Sequence, residues 1–342
     1  MMMTSSDSNR KVAWGPVAIV LACLVVMFGF QGYATGYMFE RDTLASLMAH
    51  GYQVDGAEWG FGWFVLPAIA VLLWLTRDRY KDLAIEPSPK IGAALLVLGF
   101  FLYFGGYKAN QQYFGYAAGQ VIAAGCIFWF LGKRWFFQAF WLWCLLGMLW
   151  PLRFLIEPVS FPLQLVMVKI SAGAFNLLGD PAVANGTAIT TTKIDPITGE
   201  TIRLNVAAAC SGLRSLFALT MIGLIFSYVV LKKNWQRVVF MCMVPVFTIA
   251  GNFVRMMMLY FGAAAKGSEW AIGQGEKDPS KFHIYAGLAV FVVALLCMIS
   301  VGDLLNRGGK MFKRRKTVVR SVKRGQSATT PVPAEGNDEA SK

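Results

Sequence analysis

Long apolar stretches separated by short polar ones dominate the chain. Eight of them approach the roughly 20 residues that a helix needs to cross a bilayer. They cover approximately residues 12–33, 59–76, 91–107, 114–131, 136–152, 209–231, 236–260 and 283–304. They are continuously apolar rather than alternating, and a bilayer offers the backbone no water, so helices are favoured over barrel strands. The pattern predicts an all-α polytopic membrane protein with about eight transmembrane helices.

The composition agrees with this prediction. Of 342 residues, 56% are hydrophobic and 15% are charged, whereas soluble domains carry about 25% charged residues. A soluble enzyme, a disordered chain and a disulfide-stapled secreted domain are all disfavoured. The first apolar stretch is long and lacks a small-residue cleavage site, so we expect a retained anchor rather than a signal peptide.

The net charge of +13 reflects membrane topology rather than nucleic-acid binding. Ten of the 32 basic residues lie in residues 307–342, and most others flank apolar stretches. An inside N-terminus puts four basic clusters on the cytoplasmic side, as the positive-inside rule requires. We therefore predict an N-in/C-in membrane domain over residues 1–306 and a basic, disordered cytoplasmic tail over residues 307–342. The clusters are Arg10 and Lys11; Arg77, Arg79, Lys81 and Lys90; Lys133 and Arg134; and Lys232, Lys233 and Arg237.

The largest outer loop is predicted over residues 153–208, with a second outer loop over residues 34–58. Residues 161–178 are apolar, but Lys169 lies at their centre and Pro158 and Pro162 precede it. This pattern favours an interfacial or re-entrant helix over a ninth span, although the choice stays open. The segments AITTT and TIRLNV, joined by KIDPITGE, predict a β-hairpin.

Cys210 differs from the other five cysteines, which lie inside apolar stretches and are expected in the core. It lies in AAACSGLRSL, where small neighbours, Ser211 among them, leave room for a substrate backbone. A helix N-terminus favours the thiolate, and Arg214 follows one turn later on the same face. A packing cysteine in a small-residue helix interface is an equal alternative on these local features.

Two more polar residues stand out at the same predicted face. Arg255 lies inside an apolar stretch, in GNFVRMMMLY, where a charge is functional or paired by default. Snorkelling to the headgroups is its alternative, and Asn252, one turn earlier, is placed to orient it. His283, in KFHIYAG, is either a general base or acid or a boundary residue. His50 is expected to be an exposed loop histidine.

The predicted topology brings Cys210, Arg255 and His283 to one membrane depth. A thiolate nucleophile, a histidine that moves protons and an arginine that stabilises the thiolate or the oxyanion suffice for acyl transfer. No metal or cofactor is needed. Arg214, Asn252 and Ser211 are predicted to support this trio.

The elements ACSGLRSL, N-F-V-R over residues 252–255 and a lone histidine at a helix start together resemble the exosortase/archaeosortase family. The resemblance covers roughly residues 90–300. It implies that Cys210, Arg255 and His283 are the catalytic triad of a protein-sorting cysteine transpeptidase at the outer face of the cytoplasmic membrane. It leaves open whether His283 is base or acid, and whether the chain is of the bacterial or the archaeal branch.

The resemblance also implies the partners. Exported proteins would present a C-terminal signal made of a short motif, a hydrophobic helix and a basic cluster. The enzyme would cut near the motif and pass the new C-terminus to an acceptor, surrounded by membrane lipids and without nucleic acid. The motif, the acceptor and the oligomeric state stay open.

Three other readings remain. Another membrane cysteine acyltransferase would share the nucleophile and differ in substrate. A transporter would usually show polar groups near the bilayer midplane or repeated halves, and a structural membrane protein would need no nucleophile. The phenotype of Cys210→Ala separates the enzymes from the other two readings.

Overall fold

The computed structural model describes residues 14–35, 40–54, 56–205, 212–275 and 278–325, and it is mainly helical. Three-residue 3-10 turns occur at Arg77–Arg79, Gly147–Leu149 and Arg153–Leu155. The helices are, in chain order, α1 Trp14–Gly29, α2 Leu44–Val54, α3 Gly56–Trp59, α4 Gly62–Leu75, α5 Pro89–Ala109, α6 Gln112–Phe130, α7 Lys133–Leu146, α8 Ile156–Leu177, α9 Leu213–Val230, α10 Asn234–Lys266, α11 Ser268–Ile272 and α12 Lys281–Gly325.

Six helices of the described residues are long and apolar enough to cross a membrane. They are α5, α6, α8 with the turn before it, α9, α10 and the first 27 residues of α12. The shorter α1 and α4 are also apolar. Each of the eight predicted stretches contains a helix, although α7 has only 14 residues. The main difference from the sequence reading is α8, which has the length and composition of a span.

Contacts between residues that are distant in the sequence define the two ends of the helical bundle. We call the end where α9 begins and α10 finishes the site end; there Arg214 of α9 contacts Glu58 of α3 at 2.7 Å. At the opposite end, Tyr80 and Tyr228 hydrogen-bond through their hydroxyls at 2.8 Å. Gln236 at the start of α10 donates to the carbonyl of Leu305 there, at 2.9 Å.

Helix α8 has both of its ends at the site end. Just before it, the Phe154 ring lies 4.9 Å from the ring of Tyr113 at the start of α6. Just after it, the Asp180 carboxylate accepts a 2.7 Å hydrogen bond from Tyr260 near the end of α10. The buried face of α8, which includes Phe175, packs against Tyr260. Although α8 is long enough to span, these contacts return the chain to the end of the bundle from which it left.

A three-stranded antiparallel sheet follows α8, made of β3 (Ala182–Asn185), β4 (Ala188–Ile194) and β5 (Thr201–Asn205). Strands β4 and β5 occupy the residues of the predicted hairpin, with Ile189 opposite Leu204. The strand β3 was not anticipated. Ile189, Ile202 and Leu204 are buried against α8 and the last turns of α10, so the sheet packs on the site end.

The turn between β4 and β5 is fastened to the end of α10. Asp195, which is buried, accepts hydrogen bonds from the backbone of Ile197 at 2.8 Å and of Ser268 at 2.6 Å. The hydrogen bonds from Ser268 and the Ile197 backbone lower the pKa of Asp195 to about 2. Gly267, between α10 and α11, has a φ of +93°, and a Cβ atom added there would lie 2.7 Å from the Ile197 Cδ1 atom, so the junction and the turn fit closely.

One predicted loop and the predicted disordered tail contain more regular structure than expected. The segment over residues 34–58 contains α2 and α3 and, with Gly32–Thr35 (β1) and Arg41–Thr43 (β2), a short antiparallel ladder. His50 therefore lies on a helix, half-buried, rather than in an exposed loop. Helix α12 continues to Gly325, so residues 307–325 are helical rather than irregular. They lack proline and are rich in lysine and arginine, which are good helix formers.

The remaining strands complete the site end. Gly273–Gly275 (β6) pairs antiparallel with Asp278–Pro279 (β7) between α11 and α12. Ser280 then begins α12: its hydroxyl accepts the backbone N–H of His283 at 3.0 Å, the usual role of an N-cap serine. The same hydroxyl donates to the carbonyl of Ala271 at 2.8 Å, which fixes the start of α12 against α11.

Candidate active site

Arg255 and His283 are in direct contact. The Arg255 Nη2 atom lies 2.6 Å from the His283 Nε2 atom. Arg255 comes from the last third of α10 and His283 from the first turn of α12, and these two helices pack closely. The structure therefore brings together two of the three residues predicted for the trio. Cys210 and Ser211 lie outside the described residues.

The contact fixes the state of the histidine ring. A guanidinium group only donates hydrogen bonds, so the Nε2 atom of His283 must be the acceptor. An imidazole that accepts at Nε2 carries its proton on Nδ1 and is neutral. The position of His283 at a helix start and beside a cation also disfavours a second positive charge. The geometry thus presents a neutral ring whose Nδ1–H points away from Arg255.

Three buried polar atoms at this place have no hydrogen-bond partner among the described residues. They are the Nδ1 atom of His283, the Nε atom of Arg255 and the Oδ1 atom of Asn252. Two are donors and one is an acceptor. Buried polar atoms without partners are uncommon in folded proteins, and such atoms at one place suit a ligand or a reacting group.

Asn252 lies between this pair and the helix that follows Cys210. Its side chain is 1% exposed, and its Nδ2 atom donates to the carbonyl of Thr248 at 2.8 Å. Gly212, immediately before α9, has a φ of +91° and faces the Asn252 amide so closely that a Cβ atom would lie 2.5 Å from Nδ2. The start of α9 is therefore seated directly on α10, one turn before Arg255.

Arg214 is not part of the Arg255–His283 pair. Its Nε atom donates to the Oε1 atom of Glu58 at 2.7 Å. Sequence reasoning singled out Arg214 for its distance from Cys210 but missed Glu58, because a contact across 156 positions leaves no local pattern. It also missed Ser280, although a serine before a helix start is a recognised N-cap signal.

An apolar groove borders the pair. It is formed by α10, α11 and the start of α12, and its lining includes Met258, Phe261, Trp270 and Phe282. Phe282 directly precedes His283 in the chain, so the groove lies on the same two helices as the pair, although neither Arg255 nor His283 lines it. Within the described ranges no three His, Cys, Asp or Glu side chains assemble as a metal site would require.

The comparison with protein families gives a clear result. The family described as transmembrane exosortase matches residues 54–300, which is more than half of the chain. Neither a curated protein nor a solved structure matches. The chain belongs to the transmembrane exosortase family, as the motifs around Cys210, Arg255 and His283 indicated, and it is an integral membrane protein.

Proposed function

We propose that this protein is a membrane cysteine transpeptidase that cleaves the C-terminal sorting signals of exported proteins. The main support for this proposal is the contact between Arg255 and His283. It leaves the Arg255 Nε–H and the His283 Nδ1–H buried, without a hydrogen-bond partner among the described residues. A buried donor without a partner is suited to stabilise a developing oxyanion. Family membership supports the same class of activity.

Cys210 is the proposed nucleophile. In the sequence it precedes Gly212 by two residues. Gly212 itself packs against Asn252, one turn from Arg255. The helix start and the Arg255 charge both favour the thiolate. Asn252, whose Oδ1 atom has no partner among the described residues, is proposed to support the segment that carries Cys210 and Ser211.

The reaction proceeds in two acyl transfers. The Cys210 thiolate attacks the scissile carbonyl, and the Arg255 Nε–H stabilises the oxyanion. The His283 Nδ1–H, which points away from Arg255, donates a hydrogen bond to another polar atom of the bound substrate. When the C–N bond breaks, the departing amine takes a proton from water, because the thiolate carries none, and it leaves with the hydrophobic helix of the signal. A nucleophilic acceptor then breaks the thioester and takes the new C-terminus. His283 therefore acts first as a neutral hydrogen-bond donor.

The proposed topology has eight spans with both termini in the cytoplasm and the site end outside. The opposite end carries most of the basic clusters, among them Arg77, Lys133 and Lys232, which the positive-inside rule assigns to the cytoplasm. Helix α8, with both ends at the site end, then lies at the outer interface, together with the sheet. Residues 1–306 form the membrane domain, and the basic residues after them lie in the cytoplasm.

The first test is processing in the native host by Cys210→Ala, with Cys297→Ala as a matched control in a predicted span. Proteins that end in a motif, a hydrophobic helix and a basic cluster are followed by mass. We expect uncut precursors with Cys210→Ala at normal enzyme level and normal processing with Cys297→Ala. Unchanged processing in both variants would refute the assignment of Cys210 as the nucleophile. Loss of a lipid-linked product without accumulation of precursors would indicate an acyltransferase instead.

The second test concerns His283. Glutamine can accept from Arg255 and still donate, so His283→Gln should retain far more activity than His283→Ala. The difference expected for one hydrogen bond to a charged group is about 10- to 100-fold. Equal loss in both variants would show that the ring must ionise, which is the role of a general base.

A further inference from the structure

Two adjacent residues of α3 attach to the first turns of α9. The Glu58 Oε1 atom lies 2.7 Å from the Arg214 Nε atom, and the Glu58 side chain is only 17% exposed. Next to it, the Trp59 ring stacks on the Phe217 ring with centroids 4.6 Å apart and planes 30° apart. Arg214 and Phe217 are three positions apart and so share one face of α9. We call these four residues the α3–α9 contact.

The α3–α9 contact lies on the side of α9 that faces away from α10. Gly223 faces α10, because a Cβ atom there would lie 3.1 Å from the Val244 side chain. Arg214 precedes Gly223 by nine positions, which at about 100° per residue puts it on the opposite face. Arg255 and His283 belong to α10 and α12. The Arg214 guanidinium is thus turned away from α10, the helix that carries Arg255.

The charge of Arg214 is also already balanced. The Glu58 carboxylate, 17% exposed and 2.7 Å from the Arg214 Nε atom, neutralises the guanidinium charge and takes up its Nε–H donor. The alternative from sequence, that Arg214 stabilises the Cys210 thiolate from one turn away, requires the guanidinium to be free for the sulfur.

We infer that Glu58 and Arg214 are a positioning pair, which holds the first turn of α9 against the segment over residues 40–59 and does not activate the thiol. The inference rests on the proposed function in one respect, because it takes Cys210, four residues before Arg214, as the nucleophile. Trp59, at 3% exposure, supplies the apolar part of the attachment. Glu58 then contributes to activity through Arg214 rather than through the reacting groups.

The test is a charge swap, because the two roles predict opposite results. Glu58→Gln and Arg214→Gln should each reduce processing about fivefold, the equivalent of about 1 kcal/mol for one partly shielded ion pair. The swap Glu58→Arg/Arg214→Glu should return processing close to the wild-type rate, since the attraction is rebuilt. A glutamate at position 214 would instead abolish activity if Arg214 stabilised the thiolate.

A second readout is independent of any substrate. In a variant that keeps Cys210 as its single cysteine, the alkylation rate is measured against pH with a membrane-impermeant maleimide. The positioning role predicts an unchanged pH midpoint in the swap. An upward shift of the midpoint, together with lost processing, would overturn the inference in favour of thiolate activation. Failure of the proposed function would appear separately, as unprocessed candidate substrates in the wild type.

Two controls complete the design. Asp303 and Arg307 form an exposed ion pair at 2.7 Å at the opposite end, and swapping them should change neither readout. Should the swap at Glu58 and Arg214 not fold, the double variant Glu58→Gln/Arg214→Gln replaces it. Its loss should be no larger than that of either single variant, because both changes remove one contact. Additive losses, or no loss in any variant, would refute the pairing.

Discussion

Gly212→Ala is the substitution that most directly probes how α9 is seated on α10. Gly212 has a φ of +91°, where L-residues are strained, and an added Cβ atom would meet three atoms of α10. It would lie 2.5 Å from the Asn252 Nδ2 atom, 3.0 Å from its Cγ atom and 3.3 Å from the Thr248 Cγ2 atom. Two physical costs therefore add at one position.

The size of the effect follows from these two costs. The left-handed backbone costs alanine about 1–2 kcal/mol, and overpacking a fitted interface costs about 1–3 kcal/mol. Asn252 cannot simply swing aside, because it is buried and its amide donates to Thr248. We expect Gly212→Ala to lower the free energy of unfolding by roughly 2–5 kcal/mol, the sum of both terms, and to impair processing.

Two other glycines separate the terms. Gly179 has a φ of +85° with nothing within 4 Å of an added Cβ atom, so Gly179→Ala measures the backbone cost alone. Gly287 has the same open space within α12 and no positive φ. Gly287→Ala should be neutral or stabilising by up to about 1 kcal/mol, because alanine favours helix.

The assay is reversible unfolding in detergent micelles, followed by circular dichroism. Gly212→Ala should lower the free energy of unfolding more than Gly179→Ala does. The effect of Gly212→Ala should be smaller when it is measured in an Asn252→Ala background, because the clashing amide is absent there. Equal losses of stability in Gly212→Ala and Gly179→Ala would refute the close packing of α9 on Asn252. An effect of Gly212→Ala that is unchanged in the Asn252→Ala background would refute it as well.

Three further outcomes are expected. Arg255→Lys should lose at least about tenfold in processing, because lysine keeps the charge but lacks the planar fork that reaches His283 while leaving Nε–H free; near-wild-type processing would mean that Arg255 acts as a simple charge. Asp195→Asn should destabilise the turn by about 1–3 kcal/mol, since its amide would face the Ser268 N–H as a second donor, measurable as a lower melting temperature. Because the pKa of Asp195 is lowered to about 2 from 3.8, its contribution holds above pH 4 and disappears as the pH falls toward 2; an acid melting profile identical to that of Asp195→Asn would contradict this.

The helices could be predicted from apolar stretches because a membrane leaves the backbone no other partner. Their roles could not all be predicted. Helix α8 has the length and apolarity of a span, yet the contacts of Phe154 and Asp180 bring both of its ends to the site end. A hydropathy pattern measures the cost of burial in lipid, and a helix that lies along an interface under a sheet satisfies the same pattern. Only the contacts made by its ends separate the two arrangements.

Some residues of the candidate site could likewise be predicted from the sequence, and others could not. Arg255 was predictable because a charge in an apolar stretch is costly, so its presence there demands a reason. Glu58 was not predictable, because an acidic residue near water has a low desolvation cost. Its presence at such a position therefore gives little indication of a function. Its importance arises only from Arg214, which is 156 positions away. Sequence reasoning about a membrane protein is therefore sharpest inside the bilayer and weakest at its surface, where the proposed chemistry would take place. There, residues such as Glu58, which is proposed to position the nucleophile, must be found from contacts.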